Sequence, residues 1–133
     1  MSWTCELLLE TRWHVRASSE LTIPLSSIVQ DVRQALLDRV ADGMCLIILY
    51  GSEARGEAQP DSDVDLMVVL QRDDRRLKTA VDDAVYDVMW RRDFDRLISV
   101  YALPRDQFEA QRSRGFSFIQ SVERDGVVLW QAA

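Results

Sequence analysis

The chain has 133 residues, enough for one domain and too few for two of ordinary size. Apolar residues make up 47%, so a buried core is expected and wholesale disorder is excluded. The formal charge of −6 argues against a broad nucleic-acid face, which would be basic, but permits a small phosphate site where a metal ion supplies the positive charge.

Residues 1–24 form an N-terminal extension ahead of a single domain at residues 25–133. Trp3, Leu7, Leu8, Leu9 and Trp13 suit either a strand or a short helix packed on the domain or on a partner. Glu6 and Glu10 fall within and just after the short apolar patch, which makes a poor signal peptide. No apolar run approaches the roughly 18 residues of a membrane span, so a soluble cytoplasmic protein is expected. Cys5 and Cys45 are the only cysteines and His14 the only histidine, which gives no zinc framework. Cys45 lies in the run MCLIILY and reads as a small buried hydrophobe; two cysteines permit a disulfide, but nothing in the pattern requires one.

Residues 26–41 read as a helix, with Ile28, Val32, Ala35, Leu36 and Val40 on one face. Ser27 and Gln30 have capping-box spacing, and Asp42-Gly43 is a stop. Residues 44–50 are continuously apolar and predict a buried strand. Gly51-Ser52 breaks that run, and residues 52–57 predict a helical turn. After a loop at Gln59-Pro60-Asp61-Ser62, residues 64–70 form a second buried strand. Leu77, Val81, Ala84, Val85, Val88 and Met89 place a long helix at 73–94. The cluster RRDFDR at 91–96 reads as a solvated helix end. Residues 97–103 predict a third strand, Pro104 opens a helix to about Arg112, Phe116 to Val122 suggest another, and VVLW after Asp125-Gly126 a short final strand. The sum is an α/β or α+β domain, a small mixed sheet flanked by helices.

The chemistry concentrates in GSEARGEAQPDSDVDL, residues 51–66. Glycine after a buried strand permits a close backbone approach to a ligand, and free N–H groups at a helical turn form an anion site. Asp63 and Asp65 are two apart, so on a strand both carboxylates share one face while Val64 points into the opposite layer. Two such like charges repel and lose hydration at the mouth of a buried strand. A Mg²⁺ ion, which takes oxygen ligands and keeps water or substrate phosphate in its shell, makes them tolerable. Alone, the Gly-Ser pair is an ordinary turn and the acidic cluster an ordinary solvated loop. Together they make the apparatus of phosphoryl or nucleotidyl transfer. Arg55 suits either the site or an ion pair with Glu53 or Glu57.

Gly51-Ser52, ten intervening residues and Asp63-Val64-Asp65 resemble the signature of the polymerase-β-type nucleotidyltransferase superfamily, most closely its minimal nucleotidyltransferases (MNT). The resemblance implies a nucleotidyltransferase-like fold and ATP as substrate. Gly51, Ser52 and Arg55 would bind the nucleotide, and Asp63 and Asp65 would be the catalytic, Mg²⁺-holding carboxylates. Many small members of that family are antitoxins of a HEPN-domain toxin. Some of them transfer AMP from ATP to a toxin tyrosine, and others neutralise by binding. The resemblance therefore implies a protein adenylyltransferase with a HEPN-domain partner. Two alternatives stand beside it: an inactive antitoxin that binds only, and a free-standing transferase acting on a small molecule or RNA end. Full catalytic members carry a third carboxylate on a later strand. The matching position in LISVYAL is Ser99, a weak Mg²⁺ ligand, with Asp93 and Asp95 just before the strand.

Overall fold

The computed structural model describes residues 16–17 and 25–133. The readings of Trp3, Cys5, Leu7 to Leu9, Trp13 and His14 fall outside the described residues. In chain order the elements are β1 (Arg16–Ala17), α1 (Ser27–Val40), a 3₁₀ turn (Ala41–Gly43), β2 (Met44–Tyr50), α2 (Gly51–Arg55) and β3 (Val64–Leu70). They continue with α3 (Arg75–Arg91), β4 (Ile98–Pro104), α4 (Arg105–Ser113), α5 (Ser117–Asp125) and β5 (Val127–Gln131).

The sheet order is β1-β5-β2-β3-β4. β2 runs antiparallel to both β3 and β5, while β3 and β4 are parallel, so the sheet is mixed. β1 adds only two residues, parallel to the outer edge of β5. The parallel β3–β4 pair needs a crossover, and α3 supplies it. The period-2 alternation of β3 divides the core. Val64, Leu66, Val68 and Leu70 are fully buried against α1 and α3. Met67 and Val69 face the other way, onto Phe108 of α4 and Ile119 and Val122 of α5. Helices therefore cover both faces of the sheet, which is why β2 and β3 read as unbroken apolar runs.

The expected elements form close to the expected places; the local chemistry differs at α1. Its N-cap is Ser26, not Ser27, and it makes no side-chain cap bond. The Ser26 hydroxyl is spent elsewhere, and Gln30 donates its amide to the Leu25 carbonyl instead of closing a capping box. Cys45 is fully buried, as expected, and it is disulfide-bonded, a pairing that two cysteines permit without requiring. At α3 the Asp74 carboxylate does cap, accepting from the Arg76 N–H at 2.8 Å. Among the described residues no helix is long and apolar enough to cross a membrane.

Candidate functional site

The site lies where β2 ends and β3 begins. Because the two strands are antiparallel, the C-terminal residue of β2, Tyr50, sits opposite Asp65. The chain then turns into α2 at Gly51, whose φ of +76° is open to glycine and strained for other residues. A Cβ at this position would collide with the Asp65 carboxylate oxygen Oδ2. Glycine is therefore required twice, by backbone conformation and by the approach of the acid. Gly56, at φ +72°, closes α2 with a left-handed cap after only five residues. This short turn brings Ser52 close to the same strand mouth.

Asp63 lies just ahead of β3 and is exposed, whereas Asp65 is half-buried. Burial pushes the Asp65 carboxyl up, the Asp63 carboxylate adds to the shift, and Arg55 opposes it. All three charged groups therefore share one electrostatic neighbourhood. Burial also raises the Tyr50 phenol, with Asp65 and Tyr101 contributing. On the other side of Asp65, the parallel β4 register places exposed Ser99. No cluster of three or more histidine, cysteine or acidic side chains able to hold a metal occurs among the described residues. The candidate donors are the Asp63–Asp65 pair, Asp63 ahead of the strand and Asp65 on it. Two neighbouring carboxylates would suit a Mg²⁺ ion whose remaining positions are filled by triphosphate oxygens and water. The space that a Gly51 Cβ would fill is taken by the Asp65 carboxylate itself.

Arg55 does not pair with Glu53. It reaches Glu57 at 3.1 Å and Asp125 of α5 at 3.9 Å, contacts at an exposed surface that contribute little to stability. Glu53 has a different partner, which the sequence reading missed. Arg96, expected in a solvated helix end, has a side chain only 14% exposed and makes a two-pronged contact with Glu53, itself 11% exposed. The arms measure 3.2 and 3.3 Å, and the Arg96 Nε–H donates to the Ser62 carbonyl at 2.9 Å. Ser26 completes the clamp by donating its hydroxyl to Glu53 at 2.6 Å. One arginine therefore ties the helix after Gly51-Ser52 to the loop before Asp63. The only sequence signal was an arginine at the entrance of a strand, in a segment rich in other charges.

Burial alone would raise the Glu53 carboxyl, but its bonds to Arg96 and Ser26 more than offset this and hold it below its ordinary 4.5. A lowered acid contributes stability above its unfolded value and loses it as pH falls through the folded value. Removing the guanidinium leaves a nearly buried carboxylate unpaired. Arg96→Ala is therefore expected to cost about 2–3 kcal/mol, below the full cost of a fully buried pair. Glu53→Gln should in addition flatten the loss of stability below pH 4.5. Urea unfolding of both variants at neutral and acid pH measures these effects. Wild-type stability in Arg96→Ala would remove the clamp from the account.

Aromatic rings wall the same sheet face. Phe118 meets Tyr50 edge-on at 5.4 Å and Tyr101 at 5.7 Å. Two clefts, of about 320 and 450 Å³, lie at the far end of β3 around Gln71 and Arg72 and hold none of these groups. The donor chemistry marks the site.

Residues 29–125 match the family model described as a nucleotidyltransferase domain. No curated protein matches the sequence. Among solved structures, a crystal structure described as a toxin-antitoxin with AMP-PNP is similar at a TM-score of 0.51. It shares 21% identity, over 77% of this chain and 73% of that one, a likeness of fold. The structure of a putative nucleotidyltransferase from Sulfolobus solfataricus shares 18% identity over 79% of this chain and 84% of that one; its TM-score of 0.42 carries no weight.

Proposed function

The chain belongs to the nucleotidyltransferase family, and we propose that it is a Mg²⁺-dependent protein adenylyltransferase. It transfers AMP from ATP to a tyrosine of a HEPN-domain toxin and so acts as that toxin's antitoxin. The observation that carries the nucleotide half is the apposition of Gly51 and Asp65, in which the Asp65 carboxylate lies against the turn at Gly51 only because position 51 lacks a Cβ. The fold shared with a toxin-antitoxin structure containing AMP-PNP supports the partner half.

In this reading Gly51 and Ser52 hold the triphosphate through backbone N–H groups, with the Ser52 hydroxyl beside them. Asp63 and Asp65 hold Mg²⁺, and Arg55 balances charge at the rim. The bound metal neutralises the phosphates and favours attack at the α-phosphorus. The tyrosine oxygen forms the new bond to that phosphorus as the bond to pyrophosphate breaks, and the phenol proton leaves to solvent or to a group of the partner. The Glu53–Arg96 clamp keeps the two halves of the site at a fixed separation.

The serine beside Asp65 favours a second reading, an antitoxin that binds nucleotide but transfers slowly or not at all and neutralises by contact. Ser99→Asp separates the two. If position 99 limits the transfer step, a third carboxylate raises AMP transfer from labelled ATP to the partner by roughly tenfold, about 1.4 kcal/mol of barrier. An unchanged rate would show that position 99 does not limit transfer. Neutralisation that survives loss of both Asp63 and Asp65 would favour the contact-only antitoxin.

A further inference from the structure

Far from Asp65 in sequence, the outer face of α3 carries apolar side chains that the core does not use. Val81, Ala84, Val85 and Val88 bury the inner face. At helical spacing on the opposite side come Asp82, Asp83, Tyr86 and Trp90. Tyr86 is 51% exposed and Trp90 64%, and Phe94, just past the helix, is 41% exposed. The three rings contact one another: Tyr86 stacks on Trp90 at 6.4 Å, and Phe94 meets them edge-on at 5.7 and 6.1 Å. Together they offer roughly 350 Å² of apolar surface, taking about 150–250 Å² for a whole aromatic side chain. Patches of that size on a monomer are often functional.

The backbone is held to make this patch. Asp93 and Phe94 both adopt φ +54°, a conformation that costs a non-glycine residue, most of all a bulky one. Their N–H groups donate to the Trp90 and Met89 carbonyls, which folds Phe94 back against Trp90 and Tyr86.

The rim is acidic. Asp82, Asp83 and Asp93 are exposed and carry no ion pair among the described residues. Asp87 is paired with Arg39 and Asp95 with Arg92. Arg91, on the same helix, donates its Nε–H to the Asp87 carbonyl. A second copy of this chain would bring carboxylate against carboxylate, and an anionic membrane or a nucleic acid would meet the same repulsion. Tyr86 and Trp90, one helical turn apart, form the i, i+4 ridge that packs into the groove of another helix.

We infer that the Tyr86–Trp90–Phe94 face of α3 is a docking surface for an amphipathic helix of a partner protein, whose apolar stripe is flanked by lysine or arginine. The inference goes beyond the nucleotide site and does not depend on it, since none of its residues lies in that site.

The probe is a synthetic helical peptide with a leucine stripe flanked by lysines, compared with the same peptide carrying glutamates in place of the lysines. Binding is followed by amide and indole NMR shifts of the full chain. The lysine peptide is expected to shift Tyr86, Trp90 and Phe94 and to bind at least tenfold more tightly than the glutamate peptide. Trp90→Ala should lose that binding at least tenfold while melting like the wild type. Because Trp90 is exposed, the variant folds; Phe94→Ala serves as a second one. No shift up to about 1 mM peptide, a limit near −4 kcal/mol of affinity, would overturn the inference. So would equal binding of both peptides, retention of binding in both variants, a homodimer dispersed by Trp90→Ala, or binding to anionic vesicles through these rings.

Discussion

Asp65→Asn is expected to weaken Mg²⁺-ATP binding by tenfold or more while leaving the unliganded protein at least as stable as the wild type. The two effects share one cause. Asp65 is half-buried at the mouth of a strand, and burial and Asp63 both raise its carboxyl. When folding raises an acid, the ionised form is disfavoured in the folded state, so stability is lost as pH rises through the folded value. At neutral pH the carboxylate therefore costs stability unless a cation sits on it. Asparagine has nearly the same shape and no charge, so it removes that cost and the metal ligand together. Calorimetric titration with ATP in the presence and absence of Mg²⁺, beside a thermal melt, measures both. Unchanged affinity would take Asp65 out of the site. A large fall in melting temperature would mean that the charge itself holds the fold.

The second large effect is at Gly51, where alanine should damage both folding and binding. A φ of +76° costs an alanine about 1–2 kcal/mol on its own. The new methyl also meets Asp65 Oδ2, so the acid must shift or the α2 turn must open. A total near 2–3 kcal/mol corresponds to a fall in melting temperature of roughly 10 °C in a chain this size. Mg²⁺-ATP should no longer stabilise what remains folded, since the methyl displaces the Asp65 carboxylate that would hold the metal. The contrast with Asp65→Asn is diagnostic, because there binding falls without a loss of stability. An alanine variant that melts and binds like the wild type would mean that the backbone at residue 51 relaxes and that no close approach exists.

Much of this was legible in the sequence for definite reasons. β2 and β3 are covered on both sides, so they read as continuous apolar runs. The long α3 shows its period because Val81, Ala84, Val85 and Val88 all face the sheet. The candidate roles of Gly51, Ser52, Asp63 and Asp65 came from a break in an apolar run and from the spacing of a family signature; the strand period holds for Asp65 and not for Asp63, which lies ahead of β3. Arg96 was not legible. Its partner Glu53 lies 43 residues away, and no local pattern distinguishes an arginine bound for a buried carboxylate from one in water. Ser26 was missed for the same reason, since its hydroxyl serves a residue 27 positions distant instead of its own helix. The Trp90 face was hidden differently. Asp93 and Phe94 adopt left-handed backbone that no glycine announces, so the turn that ends the helix there left no mark, although Tyr86, Trp90 and Phe94 keep the i, i+4 spacing of one helix face.

If Asp63, Asp65 and the Gly51-Ser52 turn form a working Mg²⁺-nucleotide site, folding is coupled to the binding of both ligands. Thermal unfolding of the wild-type chain with ATP, with Mg²⁺, and with both tests it most directly. A ligand that binds only the folded state adds about 2.7 kcal/mol at a hundredfold excess over its dissociation constant, a shift of several degrees here. That shift is expected with ATP and Mg²⁺ together, and little with either alone. An equal shift with ATP alone would contradict the metal assignment, and no shift under any combination would contradict the site.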